Sequence, residues 1–114
     1  MHKNLEVWKR SIDFVADIYN ISKQYPKEEM YGLTNQIRRA AVSIPSNIAE
    51  GAARNGNKEF IQFLYISLGS CAEVETQLTI TRKLGYPFKF DIYNDLQQIK
   101  RMLLGLIKKR KNEN

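Results

Sequence analysis

A chain of 114 residues suffices for one domain around a single core and is too short for two full-sized ones. With 43% apolar and 26% charged residues it reads as a folded soluble protein and not a disordered one. Its net charge of +6 favours anionic partners, nucleic acid among them, over cationic ones. No apolar run reaches the roughly 18–20 residues needed to cross a bilayer. The start, MHKNLEVWKR, has no signal-like apolar stretch. No membrane partner is therefore expected, and the expected compartment is the cytoplasm. The single cysteine, Cys71, agrees with a reducing compartment and excludes an internal disulfide.

The first helix is predicted from about Leu5 to about Gln24, stopped by Tyr25-Pro26 because a residue before proline avoids the helical region. Leu5, Trp8, Ile12, Val15 and Tyr19 recur at three- and four-residue steps and form one apolar band. Val7, Phe14, Ile18 and Ile21 form a second band beside it. Together they cover half the helix, wider than the stripe of about 100° that a monomer's surface helix needs. That width suggests a second partner surface, most simply another copy of the chain, with a broad face inside one bundle as the alternative. Val7, Phe14 and Ile18 are the candidate residues of that second surface.

The second helix is predicted to begin between Glu28 and Thr34 and to end near Arg54, with Leu33, Ile37, Ala40, Ile44 and Ile48 on one face. Glu28 and Glu29 suit its positive end. Pro45 removes one backbone hydrogen bond, so the helix either kinks there or breaks and restarts. The common stripe of Ile44 and Ile48 favours a kink, with Ser43, Ser46 and Asn47 supplying local donors. In the turn Asn55-Gly56-Asn57, Gly56 is expected in the left-handed conformation and Asn57 as the next cap.

The third helix is predicted to run to about Leu84. Its opening FIQFLYISL is apolar almost all round, as in a helix buried on several sides. Gly69 to Ala72, and Gly51 to Ala53 on the second helix, are small-residue patches where backbones can approach. Gly85-Tyr86-Pro87 ends this helix. Asp91 is the predicted cap of a fourth helix reaching about Lys109, with Ile92, Leu96, Ile99, Leu103 and Leu106 on one face and a fraying tail, KNEN. The four stripes, joined by short turns, predict a single all-α domain over residues 1–114: an antiparallel, up-down-up-down four-helix bundle.

That order brings the starts of the first and third helices and the ends of the second and fourth to one pole. Lys3, Lys9, Arg10, Arg54, Lys58, Lys108, Lys109, Arg110 and Lys111 gather there, against Glu6, Glu50, Glu59 and Glu113. Nine basic and four acidic residues leave +5 of the net charge at one end. Such a concentration is the electrostatic footprint expected for a nucleic-acid backbone, RNA or DNA.

Catalytic chemistry is not evident. His2 is the lone histidine, so neither a Glu-x-x-His di-iron site nor a zinc site can be assembled, and no metal or cofactor is expected. Cys71 falls on an apolar face and reads as a small core residue. No glycine-rich phosphate loop occurs. Glu75 is expected to pair with Arg39 or Arg82 at a helix–helix or subunit seam.

The segment YGLTNQIRRAAVSIPSNIAEGAAR (residues 31–54), followed by KEFIQFLYISLGSCAEVETQL (58–78), resembles the four-helix-bundle proteins encoded by intervening sequences within bacterial 23S rRNA genes. LEVWKRSIDFV and LGYP fit the same family. The resemblance spans residue 5 to about 107, with its most specific parts at 36–51 and 68–75. It implies an all-helical bundle that assembles as a homopentamer. One branch of that family is the accessory protein of diversity-generating retroelements, a basic pentamer that binds nucleic acid and a reverse transcriptase. For the rRNA-encoded branch an RNA-binding role is the usual presumption. No catalytic residue carries over. Within the matched motif Arg38 and Arg39 point to different sides of the second helix, one toward a partner subunit and one toward solvent. The leading expectation is thus a non-enzymatic oligomer that binds RNA or DNA through Lys9, Arg10, Arg54, Lys58, Lys108, Lys109, Arg110 and Lys111. The alternative is a protein-interaction scaffold, such as an accessory partner of a reverse transcriptase.

Overall fold

The computed structural model describes residues 2–113, so Met1 of the predicted start and Asn114 of the predicted tail lie outside the described residues. Four helices make the fold: α1 (Glu6–Ser22), α2 (Leu33–Ala52), α3 (Asn57–Lys83) and α4 (Ile92–Lys111). Short 3-10 turns at His2–Asn4 and Lys27–Glu29 precede α1 and α2, and no strand occurs among the described residues. Cross-helix bonds pair rising numbers on one helix with falling numbers on the next. Ser67 of α3 meets Ile44 of α2, while Thr79 and Glu75 of α3 meet Tyr93 and Lys100 of α4. Arg38 of α2 also meets Ser22 of α1.

The core holds Phe14 and Ile18 from α1, Ile37, Ile44 and Ile48 from α2, Leu64, Val74 and Leu78 from α3, and Ile92, Leu96, Ile99 and Leu103 from α4. Each set follows helical spacing, so each helix turns one face inward. α1 corrects the expectation about its two bands. Val7, Phe14 and Ile18 are buried within the bundle and are not a surface for another copy. The outward band is the other one: Leu5, Trp8 and Val15 are half-buried, and Ile12 and Tyr19 stay 42% and 39% exposed. Ser11 explains the reversal. It completes the inward stripe between Val7 and Phe14, fully buried, with its hydroxyl donating to the Trp8 carbonyl at 2.7 Å. A satisfied serine occupies a core position that apolar counting leaves blank.

α2 continues through Pro45, so the chain does not break and restart there. Extra donors strengthen this turn. Asn47 Nδ2 donates to the Ser43 carbonyl at 2.8 Å, and Ser67 Oγ crosses from α3 to the Ile44 carbonyl at 2.9 Å. Glu29 caps the start of α2, one oxygen accepting the Leu33 N–H at 3.3 Å and the other the Tyr86 hydroxyl at 2.7 Å. That carboxylate ties the α1–α2 connection to the α3–α4 connection.

α2 and α3 form the most extensive helix pair. Gly51 permits it at the end of α2, because a Cβ there would lie 2.6 Å from Phe63 Cβ. The second small-residue patch behaves otherwise: Ser70 and Cys71 are buried, but Gly69 and Ala72 face outward. The start of α3 is less enclosed than its apolar sequence implies. Phe60 and Leu64 are buried, whereas Tyr65 and Ile66 are exposed.

Two turn expectations are also corrected. Gly56 is extended (φ 169°), and the left-handed glycine is Gly85 (φ 77°), past the end of α3. Asp91 stands at the cap position of α4 but makes no capping bond; its carboxylate lies 3.9 Å from Lys89 Nζ.

Candidate nucleic-acid interface

The starts of α1 and α3 and the ends of α2 and α4 meet at one pole. Asn57, first residue of α3, donates from Nδ2 to the Arg110 carbonyl at 2.6 Å and latches the last turn of α4 to the first turn of α3. Asn57 is the first helical residue, and the cap position expected of it falls on Gly56. Leu5, Gly51, Arg54, Gly56, Phe60 and Arg110 line a cavity of about 330 Å³ between the four helix ends. The first N–H groups of a helix lack intrahelical partners and carry its positive dipole end. The cavity therefore sees two guanidinium groups and the electropositive end of α3, an arrangement suited to an anion.

The pole is built on aromatic rings as well as charges. Arg110 lies over Phe60 at 5.0 Å, Arg54 over Phe63 at 5.0 Å, and Lys111 Nζ over Tyr65 at 5.3 Å. Lys111 also donates to the Tyr65 hydroxyl at 2.9 Å. The rings seat these cations along α3 and shorten their excursions into water. Arg54 and Arg110 also meet Glu50 at 3.7 Å and Glu113 at 3.3 Å. The Arg110 Nε is buried with no hydrogen-bond partner among the described residues. Lys9, Lys58, Lys108 and Lys109 are exposed and enter no ion pair among the described residues. Helical periodicity marks Phe60, Phe63 and Tyr65 as apolar positions and not as cation seats. Their spacing at the start of a helix that faces a basic run was the available signal.

Arg10 is not brought to this pole. Its guanidinium lies farther along α1, donating to Gln98 Oε1 at 2.8 Å and 3.7 Å from Glu6. There it borders an acidic groove with Asp13, Asp17 and Asp95. Burial, then the nearby Asp91, raises the Asp95 carboxyl above its ordinary value, with Lys89 and Arg10 pulling it back. Arg10 is spent on that groove and on Gln98 and Glu6.

The expected seam residues separate similarly. Arg38 packs on α1, donating from Nε to Ser22 Oγ at 2.8 Å with its guanidinium 4.6 Å over the Tyr19 ring. Arg39 is exposed. Glu75 pairs with neither Arg39 nor Arg82. Its oxygens accept from Lys100 Nζ at 2.9 Å and Gln97 Nε2 at 3.3 Å on α4, which stands closer to that face of α3. Arg82 instead lies over Phe88 at 4.3 Å and Tyr93 at 5.4 Å. Cys71 is fully buried, and burial pushes its thiol up to about 12. Such a thiol carries almost no thiolate at neutral pH and is a poor nucleophile. Among the described residues no group of three or more His, Cys, Asp or Glu side chains converges as a metal site, and no helix is long and apolar enough to cross a membrane.

The family model described as 23S rRNA-intervening sequence protein matches residues 3–105. The chain belongs to this family. Among solved structures, this 23S rRNA-intervening sequence family member resembles a protein of unknown function from the S23 ribosomal protein family of Bacteroides thetaiotaomicron. The two share 29% identity and a TM-score of 0.82, over 95% of this chain and 99% of the other. No curated protein matches. The matched span includes Lys9, Arg54 and Lys58 but stops before the run Lys108–Lys111. Three of these seven basic residues thus lie inside the family match and four beyond it.

Proposed function

We propose that this member of the 23S rRNA-intervening sequence family is a non-enzymatic, oligomeric, cytoplasmic protein that holds the phosphate backbone of RNA or DNA on its basic pole. The observation that carries the reading is the latch from Asn57 to Arg110, which sets the cationic end of α4 beside Arg54, Lys58 and the start of α3. Phosphates meet there the same three features that favour anions elsewhere: guanidinium groups, mobile lysines and a helix N-terminus. None of these reads base sequence, so binding is governed by charge and salt.

Oligomerisation supplies the repetition. Trp8, Ile12 and Val15 of α1 and Val42, Pro45 and Ala49 of α2 line an apolar groove of about 300 Å³ on the outside of the bundle. Adjacent copies covering this face in a ring, a pentamer by family resemblance, would place several basic poles side by side. Each added phosphate contact steepens the salt dependence of binding.

Filter binding of a structured RNA and of duplex DNA to the full chain tests the reading. A complex at low salt that weakens steeply as salt rises is expected. No complex, or one indifferent to salt, removes it. Light scattering tests the assembly: a species several times the monomer mass is expected, reduced to monomer by Ile12→Glu with Tyr19→Glu. A monomer at micromolar concentration in the unaltered chain ends the oligomer reading.

A further inference from the structure

The pole opposite the basic one carries a different surface. Five large apolar side chains are exposed on its two connections: Met30 and Tyr31 before α2, and Leu84, Phe88 and Phe90 between α3 and α4. Tyr31 and Phe90 are 94% and 90% exposed. The connections are tied together by the bond from Tyr86 to Glu29 and by the Tyr25 and Tyr86 rings, whose centres lie 5.6 Å apart. The rings are therefore presented from an anchored base. Beside Phe88, which Arg82 bridges to Tyr93, an open groove of about 430 Å³ between α3 and α4 is lined by Thr79, Arg82, Lys83 and Tyr93. A contiguous apolar surface with charged groups at its edge is how interaction sites look on soluble proteins.

Charge selects the partner. Arg82 is held by the Phe88 and Tyr93 rings, and neither Arg82 nor Lys83 has a carboxylate within ion-pair distance among the described residues. Lys89, by contrast, is occupied by Asp17 at 3.3 Å and Asp91 at 3.9 Å. The groove thus offers two unmatched cations beside aromatic rings. The pole around it is neutral: the segments 17–32 and 82–95 hold five basic and five acidic side chains. A nucleic-acid backbone needs an extended positive field, which this pole lacks. A short acidic peptide needs only two local cations and somewhere to bury an apolar anchor. An arginine pre-stacked on rings is the kind of residue on which binding energy concentrates.

We infer that this pole docks an acidic segment of a partner protein, its carboxylates meeting Arg82 and Lys83 and its apolar side chains meeting Phe88, Phe90 and Tyr93. The site is independent of the nucleic-acid reading and lies at the other end of the molecule.

The test uses the full chain in its native assembly and a fluorescein-labelled dodecapeptide of Glu, Asp, Leu and Phe, with a twin in which Lys replaces every acid. Fluorescence anisotropy should show binding of the acidic peptide and not of its twin. Arg82→Glu with Lys83→Glu, and separately Phe90→Ala, should each weaken it by about tenfold or more. Phe90 is so exposed that its removal leaves the thermal melt unchanged, which separates loss of the site from loss of the fold. Equal binding of the two peptides, no binding of either, or an unchanged affinity in the variants overturns the proposal. So does dissociation of the oligomer by Phe90→Ala, which would make the surface a contact between copies. Binding of a single-stranded oligouridine that Phe90→Ala abolishes would also overturn it, in favour of base stacking.

Discussion

The two poles are made of the same kinds of residue, presented in opposite ways. At the basic pole cations lie over the rings: Arg110 covers Phe60, Arg54 covers Phe63 and Lys111 covers Tyr65. Water meets charge first. At the far pole Phe88 and Phe90 project and Arg82 is held against Phe88 and Tyr93. Water meets rings first. The difference follows from where the aromatics sit. On α3 they are fixed at helical spacing beneath the ends of two other helices; in the connection at 84–91 Arg82 covers one face of Phe88, and Phe90 stays 90% exposed. The order in which an approaching molecule encounters charge and apolar surface separates the end proposed to hold a nucleic-acid backbone from the end proposed to dock a peptide, although both contain arginine and phenylalanine.

The contrast is broken most directly by exchanging charge at each pole in turn. Lys108→Glu, Lys109→Glu and Arg110→Glu together should weaken nucleic-acid binding roughly 100-fold or more at low salt, uniformly across sequences. Arg82→Glu with Lys83→Glu should change it by less than about twofold, since a distant pair outside the phosphate path is screened. Filter binding of the two variants in one salt series reads both. Equal losses would mean that nucleic acid engages both ends.

The packing beneath the basic pole gives the next largest effect. Gly51→Val places carbon where Phe63 Cβ already stands, 2.6 Å from the ideal position, and should cost about 1–3 kcal/mol in a urea melt. Phe90→Ala, at the uncovered pole, should cost almost nothing in the same melt.

Between the poles, Cys71 supplies a reference that belongs to neither. The unfolded thiol loses its proton near its ordinary value of 9.0, whereas the folded one holds it to about 12. Stability from this group is complete below pH 9 and falls as pH rises from 9 to 12, by about 1.4 kcal/mol per pH unit. Tyr25, also raised chiefly by burial, acts in the same direction as pH rises above its ordinary value of 10.0. Cys71→Ala should flatten the alkaline limb of a melting-temperature profile; an unchanged limb would assign the loss to other groups.

The smallest effect is local. Tyr86→Phe removes the bond to Glu29 and should speed amide hydrogen exchange at 27–32 and 84–91 while leaving the global melt in place. Unchanged exchange would mean that the rings at this pole are held by packing alone.

Four helices and their approximate limits were legible because apolar residues on each recur with the helical period, and Pro26, Gly56 and Gly85-Pro87 punctuate them. The crowding of basic residues at one end followed from short connections alone. Which band of α1 faces inward was not legible, because both bands obey the same period and Ser11 hides a core position. Arg10 misled for a similar reason: position along the chain does not reveal that a groove lined by Asp13, Asp17 and Asp95 draws it aside. The partner of Glu75 depends on which neighbouring helix stands nearest, a property of packing and not of spacing. The far pole was missed because its rings lie in connections, where no periodicity exists to mark them.

α3 runs unbroken from Asn57 at one end of the bundle to Lys83 at the other, and 27 residues at helical rise make a strut of about 40 Å. Charge in physiological salt reaches only about 8 Å. On the proposed readings, an RNA moored at one tip and a peptide moored at the other would be held at a set spacing, beyond the reach of each other's charge. α3 would then work as a spacer bar between the two ends.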